Sequence, residues 1–68
     1  MSAFTVTLKA CRVNADKTQR EWAALLGVTN VTVVNWENGK TTPTLDKLRK
    51  ISQLSGIPMD YIFAKQSN

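Results

Sequence analysis

Between Asn30 and Asn38 the chain reads NVTVVNWEN, and at about 100° per residue Asn30, Val31, Val34, Asn35 and Asn38 spread over one side of a helix. That side offers carboxamides and β-branched methyl groups and no charge. A carboxamide can make a two-point pair with adenine in a major groove, and a methyl group can contact the methyl of thymine. A face meant only for water usually carries charged residues instead. The chemistry on offer is the reading of base edges. Val33 and Trp36 point the other way, with Thr32 and Glu37 beside them, and these two are candidates for a core.

Catalytic chemistry finds no comparable support. There is no histidine, so Cys11, the lone cysteine, has no imidazole base to activate it and reads as a small buried hydrophobe. The five acidic residues form no cluster at metal-ligand spacing. Lys47, Arg49 and Lys50 read as a solvated charge run, and Trp22 reads as packing rather than base stacking. The expectation is a chain with no catalytic residue, no metal, no cofactor and no small-molecule ligand.

A reading face must be carried by elements that hold it rigidly, and the stretch from Thr18 to Gly39 supplies them. Thr18 followed three residues later by Glu21 is a capping box, and Thr29 can cap a second helix just past Gly27 and Val28. Gly27 leaves room only for a tight turn with positive φ, and Ala23 is small where a second helix crosses closely. Asn38-Gly39 stops the second helix, which runs from Asn30 to about Asn38. The combination reads as a helix-turn-helix. On the turn alone, a helical hairpin without a ligand has the same signature.

Further helices surround this pair. Leu8, Cys11, Arg12 and Ala15 share a face of a first helix, from Leu8 to about Ala15. Thr44 can cap a fourth helix with Leu45, Leu48, Ile51, Ser52 and Ser55 on one face and Gly56 at its end. Pro58 can open a short fifth helix carrying Tyr61, Ile62 and Phe63. The predicted fold is all-α, a five-helix bundle.

Sixty-eight residues suit one small domain over 1–68, with an ordered core of about 6–63 and a frayed tail from Lys65 to Asn68. Nine Lys+Arg against five Asp+Glu leave a net charge of +4, a modest basic excess that favours a polyanionic partner. One cysteine excludes an internal disulfide and suits a reducing compartment. The segment MSAFTVTLKA lacks the apolar stretch of a signal peptide, and no run approaches the roughly 20 apolar residues of a membrane span. The expectation is a cytoplasmic protein, away from membranes.

Taken together, Leu8-Lys9, Arg12, Thr18-Gln19, Glu21, Ala23, Leu26-Gly27-Val28-Thr29, Trp36-Glu37-Asn38-Gly39-Lys40, Pro43, Leu45, Leu48, Ile51 and Gly56 resemble the phage Cro and repressor (XRE-type) DNA-binding family. The match covers roughly Leu8 to Phe63. It implies a lambda-repressor-like fold whose third helix lies in the DNA major groove, with dimers on a two-fold operator. It also implies that Gln19, at the start of the second helix, meets backbone phosphate and sometimes a base. Asn30, Val31 and Asn35 then occupy base-facing positions, and Thr29, Thr32, Asn38 and Lys40 fall at phosphate or mixed contacts. Trp36 sits where an indole can donate to a phosphate while its ring packs inward. The arginine on the inner stripe of the first helix needs a carboxylate, and Glu37 on the inner edge of the third helix is the candidate for a buried salt bridge. The resemblance implies the same Arg12–Glu37 pair.

Three positions depart from the family pattern. Asp16 stands where a glycine is common, tolerable because Asp visits the left-handed region more readily than most residues. Ser55 replaces a core leucine, so the end of the fourth helix is expected to be less well buried, with Leu54 turned off its core face. Pro58 replaces a capping hydroxyl. Leu54, Ile57, Pro58 and Met59 then make an apolar patch suited to a homodimer that sets two recognition helices about 34 Å apart on a palindromic operator. At least one of Tyr61 and Phe63 is expected to close the core.

The function expected is sequence-specific binding of double-stranded DNA by a phage or prophage transcriptional regulator that acts by operator occupancy. The shortness of the chain favours a Cro-like protein over a full repressor. An antitoxin or restriction controller would use the same domain, and a protein-binding adaptor would use the same helix face through Val31 and Val34.

Overall fold

The computed structural model describes residues 5–63, and within them four α-helices follow one another through short turns. These are α1 (Leu8–Asn14), α2 (Gln19–Leu26), α3 (Asn30–Glu37) and α4 (Leu45–Ser55). Every one begins on a threonine. The hydroxyls of Thr7, Thr18, Thr29 and Thr44 accept the backbone N–H groups of Ala10, Glu21, Thr32 and Lys47 at 3.0, 3.1, 3.1 and 3.4 Å. Such a cap contributes about 1 kcal/mol, which matters for helices too short to persist alone. At α2 the box closes, because the Thr18 N–H donates back to Glu21 Oε1 at 2.9 Å. That backbone hydrogen bond holds the Glu21 carboxyl below its ordinary pKa, with the Thr18 hydroxyl and Lys17 acting in the same direction.

The turns on either side of α2 are each set by a left-handed residue. Gly27 ends α2 at φ 72° and ψ 33°. A Cβ there would meet nothing nearer than Lys47 Nζ at 3.8 Å, so the demand for glycine is conformational rather than steric. Asp16, at φ 62°, makes the α1–α2 turn without a glycine. Between these turns α2 packs across α3, while α1 lies against α4 and also touches α3. The shared core is Leu8, Cys11, Trp22, Ala23, Leu26, Val33, Trp36 and Ile51. Burial pushes the Cys11 thiol above its ordinary pKa, against the opposing effect of a hydrogen bond with Ser55, so it is kept as an inert thiol.

The expected fifth helix is absent. After Pro58 the chain makes one 3₁₀ turn (Met59–Tyr61) closed by the Tyr61 N–H on the Pro58 carbonyl at 2.9 Å, and no side chain caps it. Then Ile62 goes extended and forms β2 (Ile62–Phe63), paired in parallel with β1 (Val6–Thr7) in the register Val6↔Ile62 and Thr7↔Phe63. Pro58 has no hydroxyl to start an α-helix, and three residues are too few to repay nucleation before β-branched Ile62 reaches the ladder. Among the described residues the fold is therefore mostly helical, with four helices rather than five and a minimal two-stranded sheet. Ile62 packs against the core. Tyr61 is largely exposed, and the side chain of Phe63, like the tail Lys65–Asn68, lies outside the described residues.

A second correction concerns the end of α4. Ser55 is only 7% exposed, so this end is not loosely buried. Its hydroxyl accepts from the Ile57 N–H at 3.2 Å and its carbonyl accepts from Asn14 Nδ2 at 2.8 Å, while Ser52 Oγ donates to the Ile57 carbonyl at 2.6 Å. Hydrogen bonds do there what a leucine would do by packing. Lys47 also leaves the solvated run it was assigned to. Its ammonium donates to the Leu26 carbonyl at 2.7 Å, capping the negative end of α2 from α4.

Arg12 crosses the interior from α1 to α3. Its Nε and Nη2 donate to Glu37 Oε2 and Oε1 at 2.7 and 3.2 Å, and its Nη1 donates to the Lys17 carbonyl at 2.9 Å. The two side chains are 11% and 6% exposed. Losing either partner strands a largely buried charge, so Glu37→Gln or Arg12→Met should each destabilise the protein by on the order of 3–5 kcal/mol. Chemical denaturation measures this, and near wild-type midpoints for both variants would contradict it. Lys47→Met should cost roughly 1–2 kcal/mol by leaving the α2 carbonyl end uncapped, whereas exposed Lys50→Met should change stability little. Indistinguishable melting of the two lysine variants would show that the Lys47 contact contributes nothing.

Candidate nucleic-acid interface

The candidate site is built on α3, and α3 is placed by the residues it buries. Val33 and Trp36 enter the core, which turns the opposite side outward. Asn30, Val31 and Asn38 are exposed, while Val34, Asn35 and Thr32 are half-buried. Val31 is the most open, at 66%. Neither Asn30 nor Asn35 uses its carboxamide within the described residues, so both keep donors and an acceptor for a partner. Asn38 is the C-cap of α3, its backbone N–H bonded to the Val34 carbonyl at 2.9 Å. Lys40 follows on the turn with an exposed side chain, its N–H donating to the Asn35 carbonyl at 2.9 Å.

At the other end of α3, Thr29 and Thr32 face each other with their Oγ1 atoms 2.8 Å apart. Thr29 Oγ1 already accepts from the Thr32 N–H. Two hydroxyls hold two hydrogens and their mutual bond uses one, so one O–H remains for an anion whichever is the donor. Trp36 is 7% exposed. No described side-chain nitrogen or oxygen is fully buried without a partner, and the Trp36 indole has no hydrogen bond, so its N–H reaches the surface.

Gln19, the first residue of α2, is brought against the C-terminal end of α3. Its Nε2 donates to Glu37 Oε1 at 3.0 Å, the same oxygen that accepts from Arg12 Nη2. A carboxylate can only accept, which sets the orientation of the Gln19 amide and leaves one N–H and the carbonyl free of Glu37. Sequence reasoning placed Gln19 at the interface but missed this capture. Nothing in the spacing signals it, because it depends on α2 crossing α3 where Glu37 lies.

The proposed dimer patch is less uniform. Leu54 is 38% exposed and Pro58 is exposed, whereas Met59 is half-buried and Ile57 packs against the core of its own chain. A shallow depression at the α1–α2 turn, lined by Arg12, Val13, Asp16, Lys17 and Thr18, contains none of the base-facing residues. Among the described residues no group of His, Cys, Asp or Glu is arranged to hold a metal, and no helix is long and apolar enough to cross a membrane.

Known proteins resemble this chain in sequence. A helix-turn-helix family model matches residues 8–62. In Bacillus subtilis (strain 168) the chain is 34% identical over 59 residues to the SPbeta prophage-derived HTH-type transcriptional regulator YonR, covering 87% of this chain and 55% of that protein. It is 32% identical over 65 residues to the HTH-type transcriptional regulator YqaE, covering 96% and 56%, and 36% identical over 58 residues to the HTH-type transcriptional regulator ImmR, covering 85% and 46%. The chain thus spans about half the length of the curated relatives it matches. No solved structure matches it. The match over residues 8–62 takes in all four helices and both turns that orient α2 and α3, and on that ground the chain belongs to the helix-turn-helix family.

Proposed function

We propose that this chain is the DNA-binding part of a transcriptional regulator of phage or prophage type, which inserts α3 into the major groove of an operator and excludes competing proteins by occupancy. The observation that carries the reading is the outward side of α3, where unpaired carboxamides and methyl groups stand on a helix pinned from behind by Val33, Trp36 and the Arg12–Glu37 pair. Asn30, Val31, Val34 and Asn35 read base edges. Gln19, Thr29, Thr32, Trp36, Asn38 and Lys40 hold the phosphates on either side. The net charge of +4 supports attraction to the duplex, and the relatives' names as HTH-type transcriptional regulators support the role. Such a protein works in the cytoplasm, where its operator is. Because the relatives are about twice as long, chain length does not support a Cro-like protein over a repressor, and the proposal stands on the domain.

Asn35→Ala and Asn30→Ala should each cost roughly 1–3 kcal/mol on the cognate duplex and relax sequence preference, while Lys40→Ala should weaken cognate and scrambled duplexes alike. Equilibrium binding to both duplexes tests this. Equal losses on both for the asparagine variants would remove Asn30 and Asn35 from base reading.

We further propose that two copies bind a palindromic operator through Leu54, Pro58 and Met59, with Ile57 supporting the patch from the core side. A patch this small suits a dimer that assembles mainly on DNA. Leu54→Asp or Met59→Asp should leave the melting transition intact while lowering affinity and cooperativity on a full palindrome. Unchanged binding by both variants would place the dimer contact elsewhere.

A further inference from the structure

We infer that the base pairs read by α3 are A·T pairs, so that the partner is a duplex with an A·T core in each half-site. The inference rests on the proposed DNA-binding reading and concerns which bases that surface can recognise.

In the major groove guanine presents two acceptors, and its commonest reader is a two-point donor, Arg or Lys. No arginine or lysine occurs in α3, whose sequence is NVTVVNWE. Cytosine presents an amino donor whose reader is an acidic side chain. The one acid in α3 is Glu37, and it is spent: one oxygen accepts from Arg12 Nη2 and Gln19 Nε2, the other from Arg12 Nε, and the side chain is 6% exposed. Both charged readers of a G·C pair are therefore missing from the reading face, one by composition and one by burial.

What remains matches the other pair. Adenine offers an acceptor at N7 beside a donor at N6, the complement of a carboxamide, and the Asn30 and Asn35 carboxamides have no competing partner among the described residues. Thymine offers its methyl group. Val31, at 66% exposure, and half-buried Val34 supply the apolar contact. Leaving Val31 open to water is unfavourable in the free protein, and a thymine methyl covers it. Thr29 and Thr32 accept either base and do not alter the preference.

Selection of wild-type protein against a random duplex library, repeated with Asn35→Ala and Val31→Ala, identifies the positions α3 reads as those whose preference each variant loses. These should be A·T. In the selected site, thymine-to-uracil replacement at those positions removes only the methyl and should weaken binding about 4-fold. Replacing adenine with 7-deazaadenine removes the N7 acceptor and should weaken it about 10-fold. Because the protein is unchanged in these two measurements, folding does not enter. G·C pairs at the α3 positions, or indifference to both replacements, would overturn the inference while leaving DNA binding in place. Failure to enrich any sequence would overturn the DNA-binding reading with it.

Discussion

A guanidinium in the interior of so small a protein has to be answered by a carboxylate, and much of the arrangement follows from how Arg12 is answered. Glu37 meets it with both oxygens, and the Lys17 carbonyl takes a third donor. Because the partners sit on α1 and α3, the pair sets the position of α3 relative to the rest of the core. Because Glu37 also holds Gln19, the same carboxylate orients the first side chain of α2. One ion pair thus links the stability of the core to the placement of Gln19 at the C-terminal end of α3. Replacing it with apolar residues of similar volume need not cost stability, but it would release Gln19.

The helices that this pair ties together are short, the longest spanning 11 residues. None has the length to persist alone in water, so each depends on its threonine cap and on packing. The C-terminal ends are treated individually. Gly27 turns α2 through left-handed backbone while Lys47 answers its Leu26 carbonyl, and Ser52 and Ser55 close α4 over Ile57. The Lys47 contact fastens α4 to the turn between α2 and α3. The turn of the helix-turn-helix is accordingly held from outside the motif as well as by its own glycine.

The candidate interface separates two kinds of residue. Among the described residues, positive charge lies off α3, at exposed residues such as Lys40, where on the proposed reading it would serve attraction to phosphate without sequence preference. The outward side of α3 is neutral and offers only hydrogen bonding and methyl contact. The one acid on α3, Glu37, is withdrawn from that side by Arg12 and Gln19.

Much of this was legible in the chain. The caps at Thr18, Thr29 and Thr44, the turn at Gly27 and the left-handed Asp16 are decided by residues within three or four positions of one another, so local chemistry is enough to predict them. The division of α3 into a core side with Val33 and Trp36 and an outer side with Asn30 and Val31 follows from helical period alone. A charged residue on a core stripe, with one well-placed acid elsewhere, pointed to Arg12 and Glu37. Tertiary structure decided the rest. The Val6–Ile62 pairing that replaced a fifth helix joins opposite ends of the chain through two residues on each side, too few to leave a pattern. The capture of Gln19 by Glu37, the Lys47 cap on α2 and the burial of Ser55 depend on where helices cross. Composition and period determine which face a residue occupies, but a side chain's partner is determined by what packing brings within about 3 Å of it.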